Sequence, residues 1–167
     1  MTEKELTEIF RKIGARDPEG WARSQTQEGI PQLARFVFLR QAWKLVLAEN
    51  EHDWIGRSMG LDPSTPGGAI GPALQRLKAL GAKDEDLTTI ARAMQWEMLF
   101  GLCYLLDDPG LLDDPGDLPA EVRDMAWCLF QVDDDGKPID AICGLHESVL
   151  ETEPNRREMR GSTSEPL

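Results

Sequence analysis

Residues 84–106 read DEDLTTIARAMQWEMLFGLCYLL, and this stretch decides the fold class. It holds no proline, and Asp84 can cap the free amides of a helix that starts there. Leu87, Ile90, Ala91, Met94, Met98, Leu102 and Leu105 recur near the helical period, with further apolar residues flanking that stripe. A helix that is apolar nearly all round has to be covered on most sides, so this reading makes it the central helix of the protein. Its uninterrupted apolar run, Met98 to Leu106, is far shorter than the roughly 20 residues a bilayer span needs.

Working outward from this helix, the same spacing recurs on both sides. Upstream, Thr2 and Glu5 fit a capping box that opens a first helix with Leu6, Ile9, Phe10 and Ile13 on one face. The stretch from Ala15 to Gly29 reads as polar and broken by Pro18, Gly20 and Gly29, with Trp21 pinning it down. Pro31 suits a helix first turn, and the spacing predicts a long second helix reaching about Glu49. Residues 62–72, DPSTPGGAIGP, are a loop by composition, followed by a short helix with Leu74, Leu77 and Leu80 inward and Gly81 as its C-terminal cap.

Downstream, LLDDPG occurs at 105–110 and again at 111–116, a pair of consecutive turns too short to be a solenoid repeat. Pro119 opens a fifth helix with Val122, Met125, Ala126 and Leu129 inward. Asp133 to Pro138 is a turn, and Ile142, Leu145, His146, Val149 and Leu150 suggest a final helix. A short hairpin near 130–140 is the competing reading there. The expectation is therefore an all-α compact bundle of about six helices with irregular acidic connections, one domain over 1–153 and a polar, loose tail over 154–167.

With 41% hydrophobic residues in 167, the chain can bury a core without staples. Its opening, MTEKELTEIFRKIG, is charged and helix-like, so no secretory leader is expected. Cys103, Cys128 and Cys143 cannot all pair within one chain, and none lies in a CxxC spacing. A cytoplasmic location is expected, and no chemistry is assigned to the thiols.

The net charge of −12 is concentrated in one segment. Residues 1–60 carry nine acidic and nine basic groups and 61–106 carry five and four, whereas 107–153 carry fourteen and two. Such a field repels nucleic acid and anionic lipid and attracts basic proteins or cations. Asp107, Asp108, Asp113, Asp114, Asp117, Asp133, Asp134 and Asp135 are the residues expected to meet a basic partner. The leading functional expectation is accordingly an interaction or regulatory protein, in one form an immunity-type inhibitor.

The alternative is a small helical metal-binding protein or metal-dependent enzyme. Glu49 and His52 stand at a Glu-x-x-His spacing that puts a carboxylate and an imidazole on one helical face. A divalent metal site would be completed by Glu97, His146 and Glu147. An EF-hand is excluded: with Gly136 at the turn position, the first ligand would be Gln131 and the twelfth Ile142. Gly67, Gly68 and Gly71 precede a helix, but without a strand before them or a lysine after them they do not make a phosphate loop. A third reading places a small apolar ligand among Trp96, Tyr104 and Trp127. No nucleophile motif is present, and no catalytic residue is assigned.

Overall fold

The structure is a computed structural model and describes residues 1–108 and 126–158. The described residues are mostly helical, with one small two-stranded antiparallel sheet. The expected helix at Pro119, the second LLDDPG copy and the end of the tail lie outside them. The elements are α1 (Glu3–Lys12), α2 (Pro18–Glu28), α3 (Gln32–Ala42), α4 (Asp53–Met59), α5 (Ile70–Ala79), α6 (Asp84–Asp107), β1 (Leu129–Val132), β2 (Pro138–Ile142) and α7 (Leu145–Ser148). They fall into two compact units, one formed by Met1–Trp43 with Leu99 onward and the other by Lys44–Met98.

In the first unit the capping box forms as expected. The Thr2 N–H donates to Glu5 Oε2 at 2.8 Å, and the Glu5 N–H donates to Thr2 Oγ1 at 3.3 Å. These bonds hold the Glu5 carboxyl below its ordinary value. Leu6 and Phe10 then join Trp21, Ala22 and Phe36 in a buried cluster. The Phe36 ring meets Phe10 and Trp21 edge-on, at centroid separations of 5.7 and 5.3 Å.

Trp21 reaches that cluster from a helix, not from the broken stretch expected at 15–29. The residues read as breakers stand at the helix ends. Pro18 lies in the first turn, where no amide is needed; Asp17 caps Gly20 N–H at 2.9 Å; Gly29, at φ 71°, closes the far end.

The helix expected from Pro31 to Glu49 is also shorter. α3 ends at Ala42 and passes through a 3₁₀ turn at Trp43–Leu45. Beyond it the backbone of Leu47 is satisfied by side chains, its N–H donating to Gln95 Oε1 at 2.8 Å and its carbonyl accepting from Arg92. With both groups taken, the helical ladder does not continue.

The second unit packs Ile55, Leu74 and Leu87 together with Trp54, Met59 and Ala82. Leu77 and Leu80, expected inward, are 43% and 85% exposed. A spacing of three falls behind the helical turn by roughly 60° per step, which carries these leucines off the buried face. α6 differs in a similar way. Ile90, Met94, Met98 and Leu102 are exposed, and the face that is buried runs through Leu87, Thr88, Arg92, Leu99 and Cys103. Where a helix is apolar on every side, its polar residues choose the face. Thr88 accepts from Trp54 Nε1 at 3.0 Å, and Arg92 has the Leu47 carbonyl as its acceptor.

The glycines of the 62–72 loop serve close backbone packing. Gly67 has φ 82°, a Cβ on Gly68 would collide with the Asp62 carbonyl, and one on Gly71 would stand 2.9 Å from the Ser58 carbonyl oxygen.

Downstream the hairpin reading holds. β1 and β2 pair antiparallel with Leu129 opposite Ile142 and Gln131 opposite Asp140, and a bulge follows Gln131. Asp133 Oδ1 accepts from Asp135 N–H at 3.0 Å and Lys137 N–H at 2.9 Å, and Gly136 has φ 79°. The final helix shrinks to the four residues of α7, because Ile142 belongs to β2 and Gly144, at φ 68°, stands between them.

Four donors from the first third of the chain fasten the segment after the hairpin. Arg35 Nη1 donates to Ser148 Oγ at 3.4 Å, Trp43 Nε1 to the Val149 carbonyl at 2.8 Å and Arg40 Nη1 to the Thr152 carbonyl at 3.4 Å. Arg16 donates to the Glu153 carbonyl. The Glu153 carboxylate, 1% exposed, in turn accepts the N–H groups of Arg157 and Glu158.

Candidate functional site

Two features of the first unit carry chemistry: an aspartate–histidine pair and the outer face of the hairpin. Asp107 ends α6, and its side chain is 6% exposed. Its Oδ2 accepts from the backbone N–H of His146 at 2.9 Å and lies 2.6 Å from His146 Nδ1. A carboxylate oxygen accepts here, which puts an imidazole proton on Nδ1. Tyr104 lies one helical turn before Asp107 and packs its ring 4.9 Å from the imidazole, which fixes the ring plane.

Arg35 is 8% exposed, and burial pushes its guanidinium below its ordinary value, while nearby Glu147 and Asp107 act in the opposite sense. Asp107 Oδ1 is buried without a hydrogen-bond partner among the described residues. The arrangement orients one imidazole and leaves it 29% exposed.

Asp107 and His146 were expected in different roles, one facing a partner and the other binding metal. The structure brings them together. Asp107 is therefore turned inward and does not contribute to an acidic surface. Asp108, Asp133, Asp134 and Asp135 are exposed; Asp113, Asp114 and Asp117 lie outside the described residues.

Of the proposed metal ligands, His52 places Nδ1 2.9 Å from Thr88 Oγ1, within the hydroxyl network that also takes Trp54. Glu97 is exposed on α6, and Glu49 is half-buried. Among the described residues no group of three or more His, Cys, Asp or Glu side chains is gathered as a metal would need. Of the residues named for an apolar ligand, Tyr104 packs on His146 and Trp127 donates Nε1 to the Leu105 carbonyl at 2.8 Å.

The hairpin's two faces differ. Gln131, Asp140 and Ile142 line a cleft of about 570 Å³ with Leu33, Val37 and Phe38 of α3. Alternation puts Phe130 and its partner Ala141 on the opposite face, and the bulge after Gln131 interrupts the alternation before Val132. Phe130 is 45%, Val132 50% and Ile139 53% exposed, and Asp133, Asp134 and Asp135, which follow Val132 into the turn, are exposed as well. Sequence reading found the acids but missed the apolar residues beside them. The alternation at 130–132 is their signal, and it is too short to stand out without the pairing.

No protein-family model matches this chain, and neither a curated protein nor a solved structure does.

Proposed function

We propose that this chain is an interaction protein that presents the acidic turn and exposed apolar residues of its β1–β2 hairpin to a basic protein partner in the cytoplasm, in the manner of an immunity-type or regulatory inhibitor. The observation that supports this reading is that one short hairpin carries Phe130, Val132 and Ile139, each about half exposed, together with the exposed Asp133, Asp134 and Asp135 of its turn. Exposed apolar side chains rimmed by charge are the composition of a binding patch, where the apolar groups anchor and the charges steer. A rim of one sign selects a partner of the other and accelerates its approach. The same field opposes binding to nucleic acid. No cofactor is needed for this role, and no residue is assigned to catalysis.

The test is affinity capture from the producing cells, followed by measurement of the purified complex at low and high salt. The expected partner is basic, with affinity that falls as salt rises. Asp134→Asn with Asp135→Asn should slow association, and Phe130→Ala should speed dissociation at a cost of about 1–2 kcal/mol. An affinity unchanged by salt and by all three substitutions would sink the proposal. Asp133 is left intact in this design because it builds the turn.

A further inference from the structure

Continued one position beyond Leu129 and Ile142, where the ladder ends, the antiparallel register sets Cys128 across from Cys143. Residues directly opposite in such a ladder have Cα atoms roughly 4.5–5.5 Å apart, inside the about 4.4–6.8 Å that a disulfide spans. Both residues are exposed free thiols, the Cys128 thiol donates to the Leu129 carbonyl at 3.5 Å, and Cys128 is near enough to act on the Cys143 thiol electrostatically. The third cysteine, Cys103, is buried within α6. The sequence spacing hides this pair, since 128 and 143 match no dithiol motif; only the pairing of the strands reveals it.

We infer that Cys128 and Cys143 are a cross-strand dithiol that takes a low-molecular-weight disulfide, such as glutathione disulfide, as its oxidant and closes into a reversible bond across the open end of the hairpin. Exposed Cys128 attacks first as a thiolate, bonding to one sulfur of the oxidant and releasing one glutathione. Cys143 then attacks the Cys128 sulfur and releases the second. One sulfur–sulfur bond is broken and one formed, the two protein protons end on the two glutathiones, and the dithiol is oxidised as the glutathione disulfide is reduced. Burial, and after it the neighbouring Cys128, push the Cys143 thiol above its ordinary value, so closure quickens as pH rises.

The full chain, reduced and then equilibrated with glutathione and its disulfide, is quenched by alkylation and mapped by peptide mass spectrometry. The expected result is simultaneous loss of both alkylation sites, a mass lower by two hydrogens and a peptide linked through Cys128 and Cys143. Cys128→Ser and Cys143→Ser should each leave the other thiol as a glutathione adduct that goes no further. A trivalent organoarsenical should bridge the reduced wild type and neither variant. Independent glutathione adducts at both positions, thiols that stay alkylatable under oxidising conditions, or bonds to Cys103 or between copies would each overturn the inference.

Discussion

Gly144 is the backbone hinge between the hairpin and the histidine. Its φ of 68° is unfavourable for any residue with a Cβ, and a Cβ there would stand 2.5 Å from Arg35 Nη2 and 3.1 Å from Glu147 Oε2. Gly144→Ala should therefore cost at least about 1–2 kcal/mol from the left-handed backbone alone, read as a lower urea midpoint with the slope unchanged. Cys103 is the complementary case, a side chain perturbed by its surroundings. Burial, and then Asp107, push its thiol up to about 12 from 9.0. A folded value above the unfolded one means that the contribution is intact below pH 9.0 and is lost as pH climbs from there toward about 12. Stability of the wild type should fall across that window more than that of Cys103→Ala, and alkylation of Cys103 in the native protein should lag far behind Cys128.

Among the elements, the junction of α6 with α7 rests on one carboxylate. Asp107→Ala would strand the His146 backbone N–H and leave the imidazole without its anchor, at about 1–3 kcal/mol for the unsatisfied donor. The outcome to measure is loss of stability together with a changed His146 imidazole NMR signature; an unaltered ring signal would show that Tyr104 alone holds it.

The sequence pointed to α6 as a helix and to the capping box of α1, because those depend on neighbours within a few positions. The buried side of α6 did not follow from hydrophobic period, since apolar residues lie all round it. It depends on Trp54, His52 and Leu47 finding Thr88, Arg92 and Gln95. α2 was obscured for a simpler reason: Pro18 and Gly29 mark its ends, and read without the Asp17 cap they look like interruptions. The Asp107–His146 pair could not be read at all, as its members lie 39 positions apart. The dipeptide DD at 107–108 suggested a surface, yet its first residue is turned inward and its second outward.

At the scale of the whole molecule, among the described residues one hydrophobic cluster gathers around Phe10 and another around Ile55 and Leu74. Each should respond to its own deletions. Phe10→Ala is expected to cost about 3–5 kcal/mol and Leu74→Ala about 2–5 kcal/mol. Hydrogen exchange should show each loss of protection concentrated in the unit that holds the substitution, with equal loss throughout as the contrary result.

The grip of Arg16, Arg35, Arg40 and Trp43 on the segment from Ser148 to Glu153 also orders events during synthesis. The separations between donors and acceptors, 106 to 137 positions, mean that these groups wait for residues 148–153 to leave the ribosome. At roughly 5–20 residues per second, that delay is about 5–30 s. During it, three guanidinium groups, two meant for the Thr152 and Glu153 carbonyls and one for the Ser148 hydroxyl, remain in water, and the nascent chain has to stay soluble by charge until these acceptors arrive.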